Sequence, residues 1–94
     1  MFPINYFKIK GHSMEPTFQE GERLLINKWA YTFAKPKIGD IIVFKKINED
    51  KFILKRIQKI LTTGLFVRGD NRSDSQSFGV IKEEQIVGKA LVSL

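Results

Sequence analysis

The chain has 94 residues, 43% of them hydrophobic and 12% aromatic, which is enough apolar material for one small domain and too much for a disordered segment. It contains no cysteine, so disulfides, zinc–thiolate sites and iron–sulfur clusters are excluded. A formal net charge of +6 suits a lysine-rich solvated surface, an anionic lipid surface or nucleic acid, and does not choose among them.

The chain opens on an apolar, aromatic stretch, residues 1–7, without a basic n-region or a long apolar run, so it does not read as a signal peptide. No run anywhere approaches the ~20 apolar residues of a bilayer span, and the chain is expected to carry no span of its own. Short apolar runs separated by Gly, Pro, Asn and Asp predict a mostly β domain. Strands are predicted over Tyr6–Lys10, Arg23–Asn27, Asp40–Lys46, Lys51–Leu61, Leu65–Arg68 and Ile86–Val92. A loop opened by Pro16 and closed by Gly21 follows the first strand, and Pro36 and Gly39 bracket a turn before the third. Ile47–Asp50 and Thr62–Gly64 read as hairpin turns. Lys82–Gln85 is predicted as a single helical turn. Six strands in one domain spanning residues 1–94 fit a small, partly closed β-barrel, which limits exposed strand edges.

Few residues here can carry chemistry. The lone histidine, His12, is adjacent to Ser13, and neighbours in extended chain point to opposite faces. A Ser-His-Asp triad is therefore not expected. One histidine and scattered carboxylates give no metal-ligand cluster either, and no cofactor is expected.

Ser13 lies between Gly11 and Pro16 on a constrained turn that can expose a hydroxyl and aim backbone N–H groups at one point. Serines in such turns more often satisfy local hydrogen bonds. Among the lysines, Lys55 has the most apolar neighbours on its own face, Ile53 and Ile57. A dry setting is what a lysine base needs, because moving its pKa from about 10.4 to 7–8 means destabilising the ammonium by ~4 kcal/mol. The alternative is a lysine whose head snorkels into water. A polar loop, residues 68–79, offers hydroxyls that could orient a neutral amine, or it is ordinary surface.

Together these segments resemble the signal peptidase I family. Ser13-Met14-Glu15-Pro16-Thr17 resembles its SMxPT box, Gly39-Asp40-Ile41-Ile42-Val43-Phe44 its GDIVVF box, and Lys55-Arg56 its KR pair. Gly69-Asp70-Asn71-Arg72, followed by Asp74-Ser75 and Phe78-Gly79, resembles its last box. The resemblance implies the catalytic-core fold shared with self-cleaving repressors. It implies Ser13 as nucleophile, Lys55 as general base and an acyl-enzyme. It implies the Ser13 N–H as oxyanion donor, while Gly11 stands where some relatives carry a hydroxyl, so that donor is missing. It also implies a polypeptide substrate bound as an added strand, with small residues before the cut, in a groove flanked by Ile9, His12, Met14, Ile53 and Leu54. Asp74 and a serine would support the lysine. The box is shortened, so that serine maps to Ser73 or Ser75, with Ser73 favoured. Gln76 replaces an arginine that would pair with Asp74. The brief segment between Lys55-Arg56 and Gly69 leaves no room for the extra β subdomain of large members.

Other readings remain at the level of sequence. A soluble maturation protease that trims one protein's N-terminus, similar to those associated with nickel-type superoxide dismutases, is the nearest, and would be cytoplasmic. An anchored peptidase would be membrane-associated. The run Trp29-Ala30-Tyr31-Thr32-Phe33, flanked by Lys28, Lys35 and Lys37, suits an anionic membrane surface. Self-cleaving repressors need a DNA-binding domain upstream, and only twelve residues precede Ser13. A non-enzymatic basic β-barrel binding nucleic acid fits the charge but not the four boxes, so nucleic acid is not expected as a partner.

Overall fold

Seven strands form in the computed structural model, which describes residues 3–73 and 78–94. They are β1 (Ile4–Lys8), β2 (Arg23–Asn27), β3 (Ile41–Lys45), β4 (Phe52–Leu61), β5 (Gly64–Arg68), β6 (Gly79–Ile81) and β7 (Ile86–Ser93). A single 3-10 turn, Glu83–Gln85, precedes β7. The mostly β class holds, and every predicted strand but the first lies within one residue of an observed one.

The first strand is predicted two residues too late. Its ladder with β2 runs from Ile4↔Asn27 to Lys8↔Arg23. Ile9 then keeps only a clasp at the base of the loop: its N–H donates to the Glu22 carbonyl at 2.9 Å, and its own carbonyl accepts from Gly21 N–H at 2.9 Å. The positive φ of Gly21, 92°, allows that turn. Strand β6 is absent from the sequence prediction because three residues are too few for alternation to show.

All pairings are antiparallel, in the order β1-β2-β7-β3-β4-β5-β6. Strand β7, last in the chain, thus lies between β2 and β3. The sheet bends at three register shifts, between Leu25 and Ile26, between Val43 and Phe44, and between Ile57 and Lys59. Strands β1 and β6 stand at the two ends and do not pair with each other, so the sheet is not closed.

Alternation divides the core. The registered pair Val43 and Leu54 packs with Ile9, Met14, Leu24 and Ile26. Ile42 and Phe44 pack instead with Ile57, Leu65, Val67 and Ile81. Burying each of these large side chains contributes about 1.5–3 kcal/mol. Two strands matter to the site, because β1 leads into the loop of Ser13 and β4 carries Lys55.

Candidate active site

The loop between β1 and β2, residues 9–22, holds Ser13. Gly11, with a φ of 79°, reverses the chain, and its N–H donates to Glu20 Oε2 at 2.8 Å. Met14 is 2% exposed and fastens the loop to the first core cluster. Its carbonyl accepts the Phe18 N–H at 3.0 Å. Ser13 is half-buried beside this anchor and lies in a turn rather than directly after a strand. His12 is exposed, with Nδ1 2.6 Å from Glu15 Oε2 and Nε2 3.8 Å from Glu20 Oε1.

Lys55 comes from the middle of β4, opposite Ile42. That register puts it on the face of the second core cluster, and the residue is only 5% exposed. Gly69 shows how close the loop and strand come. A Cβ there would sit 2.5 Å from the Ser13 carbonyl oxygen, 3.2 Å from Ser13 Cβ and 3.3 Å from Lys55 Nζ. The serine side chain and the lysine amine therefore meet beside one glycine, which is glycine because a side chain would displace them.

The loop after β5 locks this meeting point. Asn71 N–H donates to the Ser13 carbonyl at 2.8 Å, and Asn71 Nδ2 donates to the His12 carbonyl at 2.7 Å. Arg56, next to Lys55, grips Asp70 through two bonds of 2.8 Å, Nε to Oδ1 and Nη2 to Oδ2. Its remaining nitrogen donates to the Gly39 carbonyl at 2.8 Å. Thr17 Oγ1 donates to Asp70 Oδ2 at 2.6 Å. One carboxylate thus ties the serine loop to β4. The Arg56 hydrogen bonds hold Asp70 below the usual carboxylate range against the opposing effect of burial, and Thr17 adds to this. Asp70 in turn raises Arg56.

This tie is not read from the sequence, where Thr17, Arg56 and Asp70 appear only as members of separate boxes. The available signal is alternation along β4, which turns Arg56 to the face opposite Lys55. Of the other expected support residues, Ser73 is exposed and its N–H donates to Asn71 Oδ1 at 2.9 Å. Asp74 and Ser75 lie outside the described residues. Among the described residues, no group of His, Asp or Glu is placed to hold a metal ion.

A cleft of about 960 Å³ opens from Ser13 and Lys55. Gly11, Ile9, His12, Met14, Ile53 and Leu54 all border it. Ile9, Met14 and Leu54 are almost fully buried and form its floor. On one side, β5 pairs with β4 only from Arg56 to Leu61, so Phe52–Lys55 has no ladder partner towards the cleft among the described residues. The cleft therefore presents a length of open strand edge leading to the serine and lysine.

The sequence model of "Signal peptidase, peptidase S26" matches residues 1–60, which is more than half of the chain. The chain belongs to the signal peptidase family. It is 43% identical to Signal peptidase I V of Bacillus subtilis (strain 168) over 51 residues, which cover 54% of this chain and 30% of that protein. It is 27% identical to Signal peptidase IB of Staphylococcus aureus (strain Mu50 / ATCC 700699) over 145 aligned positions, covering 94% of this chain and 76% of that one. The second alignment is longer than the chain itself, so this signal peptidase relative carries segments that the compact domain lacks.

Proposed function

We propose that the chain is a serine endopeptidase that removes an N-terminal leader from a polypeptide, with Ser13 as nucleophile and Lys55 as general base. The observation that carries this is the convergence of Ser13 Cβ and a buried Lys55 Nζ beside Gly69, at the end of a cleft with an open strand edge. Burial disfavours an ammonium and so favours the neutral amine that a base requires. Ser13 Oγ attacks the scissile carbonyl carbon as its proton passes to Lys55 Nζ. The C–N bond then breaks, and Lys55 returns the proton to the leaving amine. This leaves an ester on Ser13. Water, giving a proton to Lys55, attacks the ester and releases the new carboxylate, and the proton returns to Ser13. The Ser13 N–H is the candidate oxyanion donor. The substrate adds a strand along Phe52–Lys55, and small residues before the cut sit on the floor formed by Ile9, Met14 and Leu54.

The test is cleavage of a peptide with a small-x-small site, followed by mass spectrometry from pH 6 to 10. The intact chain should cut, with a rate that rises through an apparent pKa well below the ~10.4 of free lysine. Ser13→Ala and Lys55→Ala should each lose at least about a thousandfold. Equal cleavage by both variants would overturn the assignment.

A membrane surface is the proposed setting. Phe33 is 90% exposed and Trp29 52% exposed, in a loop that also carries Lys28, Lys35 and Lys37. Aromatic side chains beside lysines suit the interface of an anionic bilayer. The chain should float with vesicles containing phosphatidylserine and not with neutral ones. Phe33→Ser should weaken that association.

A further inference from the structure

The cleft has an asymmetric charge. It is bordered by Lys8 and Lys10 from the β1 side and by Lys46 and Lys51 from the β3–β4 hairpin. The acidic residues bordering it are Glu49 and Asp50, and Asp50 lies 3.5 Å from Lys45 Nζ. Lysines from two separate elements thus border one channel, and among the described residues lining it Glu49 is the carboxylate left to oppose them. Lys46 is already held over the Phe78 ring, 4.9 Å from its centroid, which leaves Lys8, Lys10 and Lys51 as the cations with most freedom.

Spacing gives the position at which a substrate would meet them. Lys10 is three residues before Ser13 and Lys51 four before Lys55. At about 3.3 Å per residue of extended chain, the run from Lys51 to Lys55 covers roughly 13 Å, or about four residues of an extended peptide, while Lys10 reaches the same cleft from before the reversal at Gly11. The small side chains next to the cut would not reach them, but a longer residue further along would.

We infer that this cleft selects substrates with an acidic side chain about three to five residues before the cleaved bond, and disfavours a basic one there. The preference rests on the peptidase reading and on its substrate direction. It names a leader chemistry distinct from the lysine- and arginine-bearing start of an ordinary secretory signal. Each exposed Lys–carboxylate pair contributes modestly, so two or three acting together amount to about a tenfold preference at low salt. Salt screens such pairs over about 10 Å at 0.1 M.

Three peptides with the same small-x-small site, carrying Asp, Gln or Lys at the fourth position before it, provide the test. Rates are measured with the intact chain, and affinities by fluorescence anisotropy with Ser13→Ala, which binds without cutting. The expected order is Asp over Gln over Lys, with about tenfold between the extremes. The order should compress to within about twofold in 1 M salt. In the doubly reversed variant, Lys10→Glu with Lys51→Glu, the ratio should invert, a readout that survives a general loss of activity. Equal rates and affinities for the three peptides would overturn the preference even where cutting depends on Ser13. Unequal affinities without Ser13-dependent cutting would instead overturn the peptidase reading alone.

Discussion

Gly69 is the residue on which the site depends without taking part in its chemistry. Gly69→Ala would press a methyl group against the Ser13 carbonyl oxygen, 2.5 Å away, and the lysine amine, 3.3 Å away. The backbone oxygen has no rotamer to escape into, so the serine loop must shift. The rate should fall about a hundredfold, as displacements of about 1 Å commonly do. Thermal stability should drop by about 1–3 kcal/mol, the usual cost of overpacking. Parallel kinetic and melting measurements separate the two effects. Much at this scale is legible beforehand. Ser13 stands out by its turn, and Lys55 by the apolar residues on its face. The Arg56–Asp70–Thr17 tie is not legible, because its three members lie far apart in the chain and each has the composition of ordinary surface. Only the bending of the sheet brings them together.

Among the elements, β4 does two jobs. Its first half, Phe52–Arg56, is paired against β3 and its second half, Arg56–Leu61, against β5, so among the described residues Arg56 alone has a ladder partner on both sides. If a peptide joins that open edge, backbone amides facing it gain partners. Amide exchange within Phe52–Lys55 should slow by about tenfold or more when a small-x-small peptide is added to Ser13→Ala, while β2 and β7 change little. Unchanged exchange in Phe52–Lys55 would place the peptide elsewhere. Apart from β1, strand positions were readable to within a residue wherever a strand was five residues or longer. The end of β1 was not, since Ile9 and Lys10 have the same composition as the strand and differ only in losing their ladder partners. The shape of the sheet was legible only in part: a mostly β class follows from composition and turns, whereas closure depends on bulges that leave no mark in the hydrophobic pattern.

At the scale of the whole molecule, acid should be its weak point. Asp70, Asp40 and Glu22 all sit below the ordinary carboxylate range. For Asp40, burial pushes upward, but the Tyr31 hydroxyl, the Lys37 N–H and Lys89 outweigh it. Glu22 is held low by the Ser93 hydroxyl and then by the Gln19 N–H. A carboxyl lowered by folding stabilises the fold fully above its unfolded value of about 4, and that stabilisation is lost as pH falls through the lowered folded value. The melting temperature should therefore be flat from pH 7 to 5 and fall steeply below about pH 4. Asp70→Asn should melt about 5 °C lower at pH 7, and the gap should close in acid. A constant gap at every pH would show that the carboxylate's charge is not what counts.

The strand order also sets a schedule. In the strand order the β1–β2 pair beside Ser13 and the β4 strand of Lys55 lie on opposite sides of β7, which separates β2 from β3 and follows all of them in sequence. Until β7 has left the ribosome, the chain can make a β1–β2 hairpin and a β3–β4–β5 meander, but nothing joins them in one sheet. Ser13 and Lys55 belong to different halves during that interval. The meeting of Ser13 and Lys55 beside Gly69, on which the proposed activity rests, is therefore held in one sheet only once β7 lies between the two halves.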